Sequence, residues 1–217
     1  MIDVVQHIEA IQREVGRGTI PAGEGRLVRL RRDFSAPIDE VWDALTNPER
    51  IGRWFLPISG DLRLGGTYQF EGNAGGTILA CERPNRLRAT WEFGPGGASE
   101  LEVRLTPVDD ETTTFELQHV AVVPDDMWDQ FGPGAVGVGW DMGLLGLGLH
   151  LATGATVDDP IAWQLSDEGR DFAQRSSEAW GAANVASGAD PDAAALAVAN
   201  TLAFYTTPPE GEAGEGS

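Results

Sequence analysis

Short segments between residues 67 and 119 alternate apolar and polar side chains with a period of two residues. In one of them Leu87, Ala89 and Trp91 are separated by polar residues, as in a strand with one buried face. The predicted strands are 67–71, 75–81, 86–93, 101–106 and 114–119, and a further strand covers 26–34. Because clusters of Gly, Asn, Asp and Pro separate the segments, the pattern indicates an antiparallel meander with one face exposed to water.

Apolar residues recur at helical spacing before and after this meander. The N-terminal segment predicts an amphipathic helix over residues 2–15, whose apolar side holds Val4, Ile8, Ile11 and Val15. Short helices are predicted at 37–46 and 49–54. After residue 124 a new apolar stripe predicts a long helix over about 135–154, with the members Trp140, Leu144, Leu147 and Leu151.

The C-terminal part of the chain predicts a separate helical extension, with helices over 167–187 and from 191 to about 205. Phe172 and Trp180 are too large to remain exposed, so the extension should pack on the main domain or on a second copy of the chain. We therefore divide the chain into an N-terminal amphipathic helix (1–16), a main domain (17–155), a helical extension (156–205) and a disordered acidic tail (206–217).

Acidic residues dominate the charge of the chain and concentrate in its second half. The 217 residues include 34 acids and 15 basic residues, all arginine, for a net charge of −19. Residues 105–217 hold 19 of the acids but only 2 of the arginines. Such a surface repels phosphate backbones and anionic lipids, so we expect neither nucleic acid nor a membrane as a partner. Without lysine, the chain has no side-chain amine for Schiff-base chemistry.

A cytoplasmic location is expected from the cysteine count and the N-terminal pattern. Cys81 is the single cysteine, which excludes an intramolecular disulfide and fits a reducing compartment. The N-terminus lacks the pattern of a secretory signal. The apolar stretch 135–154 has the length of a membrane span, but Asp141 within it would cost about 3 kcal/mol near the bilayer centre. We therefore interpret this stretch as a buried helix of a soluble protein.

The motifs of residues 18–152 occur in an order typical of one superfamily. They are RDFSAP (32–37), VWDALTNPE (41–49), RWF (53–55), DLRLGGTYQF (61–70), PNRL (84–87) leading into Trp91, and GW (139–140). In this order the chain resembles START-like (SRPBCC) helix-grip proteins, and most of all the family named after the activator of the heat-shock-protein-90 ATPase. The resemblance implies an α+β fold in which a curved antiparallel sheet wraps around the long helix. It does not imply one function, because such folds include ligand binders, cyclase-like enzymes and co-chaperone domains.

Many aromatic side chains fall on the inward face of the predicted sheet and helices. They are Trp42, Trp54, Phe55, Tyr68, Phe70, Trp91, Phe93, Phe115 and Trp140. Each ring alone is compatible with ordinary core packing, but so many rings on one curved face favour an apolar cavity. The predicted ligand-binding residues are Tyr68, Phe70, Trp91, Phe93, Phe115, His119, Trp140 and Gly143.

Three glycines share one face of the predicted long helix, namely Gly139, Gly143 and Gly146. A glycine inside a helix costs about 1 kcal/mol relative to alanine. The missing side chains therefore serve either a close approach of another backbone or an empty volume for a ligand. The sequence leaves both explanations open.

Three polar residues are candidates for chemistry. His119 falls on the inward face, either as a hydrogen-bonded core residue or as a polar anchor or acid–base group for a ligand. Arg32 shares strand parity with Phe34, so it either faces inward towards a ligand carboxylate or is explained by a bulge or a local salt bridge, which the pattern favours. Asp141 faces either solvent or a site.

Metal, nucleotide and covalent chemistry lack support in the sequence, and we expect no metal and no cofactor. The histidines and the single cysteine are far apart and lack metal-ligand spacing. Gly132, Gly134 and Gly137 match a dinucleotide motif, but no strand precedes them. Cys81 is expected to be a buried strand residue.

These observations favour a soluble helix-grip protein that binds a small, mostly apolar ligand between the sheet and the long helix. One alternative is a cyclase- or aromatase-like enzyme, in which His119 moves protons and a second polar group lies near it. Another is a co-chaperone-like interaction module, which needs an exposed apolar patch. We also consider a homodimer.

Overall fold

The computed structural model describes residues 3–94, 97–157 and 159–207, which form an α+β fold. The helices in these residues are α1 (Val4–Glu9), α2 (Ile38–Thr46), α3 (Pro48–Trp54), α4 (Asp125–Phe131), α5 (Gly134–Thr153), α6 (Pro160–Leu165), α7 (Asp167–Ala186) and α8 (Pro191–Thr206). The strands are β1 (Gln12–Ile20), β2 (Gly23–Phe34), β3 (Ile58–Gly60), β4 (Thr67–Phe70), β5 (Gly75–Glu82), β6 (Arg86–Thr90), β7 (Ser99–Pro107) and β8 (Thr113–Ala121). The predicted acidic tail lies, from residue 208 onward, outside the described residues.

These strands pair antiparallel in one sheet of order β1-β2-β8-β7-β6-β5-β4-β3. The hairpin of β1 and β2 therefore lies beside the last strand, and β8 is flanked by β2 and β7. Alternate apolar residues of these central strands, among them Leu30, Val103 and Leu117, pack with Leu147 of helix α5 in the main core. A curved antiparallel sheet packed on a long helix is the helix-grip arrangement, which confirms the predicted fold class.

The N-terminal segment differs from the prediction of a helix over residues 2–15. Helix α1 ends at Glu9, and residues 12–20 form the edge strand β1. Val15 pairs with Val28 of β2 and is buried there. The spacing of the apolar residues fits a helix, but pairing of the backbone with β2 along the whole of β1 outweighs this local pattern.

Helix α5 is, among the described residues, the one helix long and apolar enough to span a membrane by length and composition. In this fold it packs at the centre, where Val138, Leu144 and Leu147 are buried. It also carries Asp141, which is fully buried and forms an ion pair with Arg13 of β1. These contacts belong to the core helix of a folded domain.

The helical extension packs on the rest of the chain, as expected. Helix α7 contacts α1, β1 and α5, and helix α8 contacts α7 and α4. Phe172 and Trp180 of α7 have no exposed surface. The N-terminus of α7 is capped by the Ser166 hydroxyl, and that of α8 by the Asp190 carboxylate.

Candidate functional site

A cavity of about 160 Å³ lies between the sheet, helix α3 and helix α5. Its wall is mostly apolar and includes seven aromatic residues: Trp54, Phe55, Tyr68, Phe70, Trp91, Phe115 and Trp140. Leu45 and Ile51 line it on the side of α2 and α3, and Gly143 and Leu147 line it on α5. Apolar cavities of roughly 150 Å³ stay dry and bind ligands the size of benzene. This cavity therefore has the size and chemistry of a small-molecule site.

The aromatic residues of the wall contact one another around Trp91. The Trp91 ring centroid lies 4.9 Å from that of Trp140 and 5.8 Å from that of Phe70. Phe55 meets Phe70 edge to face at 5.0 Å. Such pairs contribute about 0.5–1.5 kcal/mol each beyond their buried area. The contacts therefore favour a wall that is already formed in the protein without ligand.

Polar groups of the cavity wall form hydrogen bonds to backbone carbonyls of the protein. The Tyr68 hydroxyl donates a hydrogen bond to the Thr90 carbonyl at 2.6 Å, and burial raises the pKa of Tyr68. The Trp54 indole N–H donates to the Ala44 carbonyl at 2.9 Å. Within the described part of the chain, the wall contains no Asp, Glu, Arg or His. A charged ligand would therefore lose its hydration without gaining a partner.

The three glycines of α5 have different surroundings. A Cβ added to Gly143 would meet nothing within 4 Å, and Gly143 lines the cavity. A Cβ on Gly146 would lie 2.5 Å from the Trp54 carbonyl oxygen. One on Gly139 would lie 3.2 Å from the Tyr205 hydroxyl. Both explanations left open by the sequence thus occur on one helix: empty volume at Gly143 and close backbone approach at Gly146.

The structure places six of the predicted ligand-binding residues on the cavity wall: Tyr68, Phe70, Trp91, Phe115, Trp140 and Gly143. The placement of Phe93 was wrong, because its side chain is 62% exposed and lies outside the wall. Strand β6 stops pairing with β7 after Thr90, and the chain turns at Gly94, where φ is +62°. The alternation of inward and outward side chains therefore ends before Phe93.

His119 was also placed on the wall by the prediction, but it lies behind it. The residue is 4% exposed, and both ring nitrogens have protein partners. Trp140 Nε1 donates to its Nδ1 at 3.2 Å, and its Nε2 lies 2.9 Å from Ser99 Oγ. Burial lowers the pKa of His119 to about 4. His119 is thus a neutral, hydrogen-bonded core histidine.

Arg32 and Asp141 also lie away from the cavity. Arg32 faces inward, as its strand parity predicts, but its guanidinium contacts His7 Nδ1 at 2.8 Å and lies over the Phe34 ring. Asp141 accepts hydrogen bonds from Arg13 of β1 and from Ser176 of α7. Burial raises the pKa of Asp141, and Arg13 opposes this shift. Both residues therefore join structural elements and do not face the candidate ligand.

Several wall residues were missed by sequence reasoning. Leu45 and Ile51 belong to short helices whose orientation depends on packing against the sheet, so no local pattern identifies them. Cys81 was predicted to be buried, but its thiol is exposed and the residue lines the cavity. Ile78 lines it too, although an odd spacing of three separates the two residues. An irregularity between Ile78 and Ala80 shifts the register of β5 and explains this change of side.

The fold and the cavity are those of a helix-grip protein. The chain matches the family described as Activator of Hsp90 ATPase homolog 1-like protein over residues 35–148, more than half of its length. It therefore belongs to that family, as the sequence motifs predict. No curated protein matches the chain significantly.

Solved structures extend the likeness beyond the family region. The crystal structure of CalU16 from Micromonospora echinospora is 40% identical, with a TM-score of 0.65, and the match covers 80% of this chain and 98% of CalU16. The crystal structure of DynU16 is 27% identical, with a TM-score of 0.50, over 59% of this chain and 48% of DynU16. EF2215 from Enterococcus faecalis is 15% identical, with a TM-score of 0.55, over 81% of this chain and 91% of EF2215, which shows a shared fold.

Proposed function

We propose that this protein binds a small, uncharged, mostly apolar ligand in the cavity between the sheet and α5. The observation that carries the proposal is a space of about 160 Å³ walled by aromatic rings. A ligand that enters it removes apolar surface from water, which contributes about 25 cal/mol for each Å² buried. Gly143 adds support, because it leaves room on a helix where alanine would be the more stable residue.

A relative supports the class of ligand. DynU16 is described as a putative protein in the dynemicin biosynthetic locus. We propose a biosynthetic small molecule as the ligand of this chain, and specifically one with an aromatic or otherwise apolar body. We further propose that the protein acts in the cytoplasm, in keeping with the exposed thiol of Cys81. The homodimer stays a prediction, which sedimentation velocity would check.

Binding is better supported than catalysis. A cyclase-like enzyme needs acid–base groups that reach the ligand, whereas His119, Arg32 and Asp141 are all engaged behind or beside the cavity. A protein-interaction role would use exposed apolar side chains such as Ile161 and Phe204. Those residues do not line the aromatic cavity, so an interaction role would leave the cavity unexplained.

A pair of matched fluorescent probes tests the proposal. Naphthalene is neutral and small enough for a cavity of this size, and 1-naphthalenesulfonate has the same rings with an added negative charge. We expect saturable binding of the neutral probe, one per chain, and much weaker binding of the sulfonate. Gly143→Leu should abolish binding because its side chain enters the open space, whereas Phe93→Ala should bind normally because Phe93 lies outside the wall.

The single thiol gives a second readout of the same site. Because Cys81 is exposed and lines the cavity, bound probe should slow its alkylation by iodoacetamide. Phe93→Ala should show the same protection, and Gly143→Leu should show none. The proposal fails if no neutral aromatic probe binds saturably, or if Gly143→Leu binds the probe as well as the unsubstituted protein does.

A further inference from the structure

His119 lies behind the cavity, and its hydrogen bonds reach two residues of the cavity wall. Strand β8 places it between Val28 of β2 and Leu101 of β7, with almost no exposed surface. The indole N–H of Trp140 points away from the cavity and donates to His119 Nδ1 at 3.2 Å. An indole nitrogen can only donate, so His119 Nδ1 carries no proton.

The second ring nitrogen continues the series of hydrogen bonds. A neutral imidazole whose Nδ1 is unprotonated carries its proton on Nε2. This N–H donates to Ser99 Oγ at 2.9 Å, and the Ser99 hydroxyl donates to the carbonyl oxygen of Trp91. One series of bonds with fixed donor and acceptor roles therefore runs from Trp140 through His119 and Ser99 to Trp91.

Ser99 forms hydrogen bonds with both backbone polar groups of Trp91. Besides the hydroxyl contact, the Trp91 N–H donates to the Ser99 carbonyl at 2.9 Å. This support matters because Trp91 follows the end of β6 at Thr90, where regular pairing with β7 stops. The rings of Trp91 and Trp140 then meet at 4.9 Å, with 53° between their planes. The hydrogen-bond series thus runs from the Trp140 ring to the backbone of Trp91, and the rings of these two residues form one wall of the cavity.

We propose that His119 is a positioning residue of the cavity: it holds the Trp140 indole directly and the Trp91 peptide through Ser99, and so sets the ring pair that a ligand contacts. This inference rests on the proposed function and deepens it. His119 does not touch the ligand. Burial alone lowers its pKa to about 4, so Nδ1 remains an acceptor throughout the neutral pH range.

Two substitutions at position 119 separate positioning from simple packing. His119→Met removes both ring nitrogens at similar volume, and His119→Gln keeps one acceptor and one donor. We expect the dissociation constant for naphthalene to rise about tenfold in His119→Met, as for the loss of one buried hydrogen bond. His119→Gln should recover most of this affinity. In ¹H–¹⁵N NMR spectra, the Trp140 indole resonance should shift in His119→Met, whereas that of Trp54, which donates to Ala44, should not.

Each arm of this experiment has an outcome that overturns the inference. An unshifted Trp140 resonance in His119→Met would show that His119 does not hold the indole, whether or not any probe binds. A shifted resonance with unchanged probe affinity would show that probe binding at the Trp91–Trp140 ring pair does not depend on His119. Equal loss of affinity and of melting temperature in both variants would make the role purely structural. If the unsubstituted protein binds no probe, the proposed function fails, and the NMR arm still decides whether His119 positions Trp140.

Discussion

Gly143 and Gly146 lie less than one turn apart on α5, yet their missing side chains serve different ends. Gly143 faces the open cavity, and Gly146 lies against the carbonyl of Trp54 at the end of α3. The same residue type therefore provides ligand space at one position and close helix packing at the other. The two glycines differ because α3 packs against Gly146 and not against Gly143.

We expect Gly143→Ala and Gly146→Ala to change stability in opposite directions. Gly143→Ala should be neutral or stabilise by up to about 1 kcal/mol, because alanine has the better helix propensity and its methyl group meets open space. Gly146→Ala should destabilise by about 1–3 kcal/mol through overpacking against backbone. Urea denaturation of both variants measures the two changes. A clear loss of stability in Gly143→Ala would contradict the empty volume beside α5.

One buried ion pair joins three secondary-structure elements of the chain. Asp141 of α5 accepts hydrogen bonds from Arg13 of the edge strand β1 and from Ser176 of α7. Its side chain has no exposed surface, and that of Arg13 is 5% exposed. His7 of α1 lies against the backbone carbonyl of Asp141 at 3.2 Å. The N-terminal segment and the extension therefore contact the central helix at the same residue, Asp141.

Breaking this pair should cost far more than breaking an exposed one. Asp141→Asn leaves the buried guanidinium of Arg13 without a counter-charge, which destabilises proteins by about 3–5 kcal/mol. The matched control is Glu24→Gln, which breaks the exposed pair with Arg17 and should change stability by less than about 1 kcal/mol. Chemical denaturation measures both. A similar, small loss in the two variants would contradict the importance of the buried pair for joining the elements.

Local patterns predict the strands of this protein only where one face of the strand is buried and the other is exposed. The alternation in 67–71 and 114–119 predicts strands that the structure contains, because each pattern reports one buried face. By themselves the glycines of residues 16–25 indicate a break in the chain, yet Gly18 and Gly25 lie in β1 and β2. An added Cβ would lie 2.6 Å from the Val120 side chain at Gly18 and 2.5 Å from the Ala121 carbonyl at Gly25. Such close approach depends on the position of β8, a strand about a hundred residues further along the chain, which no local window contains.

For the candidate site, too, the local pattern identifies some residues of the cavity wall and misses others. Tyr68, Phe70 and Phe115 were found because strand parity places them inward. His119 has the same parity as Phe115, but it lies further along β8 than the cavity extends, and parity does not report position along a strand. Ile51 joins the wall through the docking of a short helix, which only the assembled fold determines.

The net charge of the protein and the chemistry of the cavity favour the same class of ligand. The net charge of −19 repels anions at a distance. The described cavity wall then offers no cation to an anion that reaches it. Neutral molecules meet neither barrier. This agreement between the overall field and the local wall supports the choice of a neutral and an anionic probe as the first comparison.

Two buried histidines link the stability of the whole fold to pH. The pKa of His119 is lowered from 6.5 to about 4 by burial. The pKa of His7 is lowered to about 3, first by burial and then by Arg32 and Arg13. Both residues are neutral in the folded protein and take up protons near pH 6.5 when the chain unfolds. Their contribution to stability is therefore complete above pH 6.5 and is lost as the pH falls towards 4 and 3 respectively.

We expect the unsubstituted protein to lose stability relative to His119→Gln as the pH is lowered from 7 to 5. The carboxylates titrate in both proteins, so the difference between them isolates His119. With a folded-state pKa of about 4, the difference should change by about 2 kcal/mol over this range, in favour of the variant at pH 5. Urea denaturation at pH 7, 6 and 5 measures it. If the two proteins follow parallel stability curves down to pH 5, His119 is not held neutral in the folded state, and its assignment as the acceptor for the Trp140 indole is wrong.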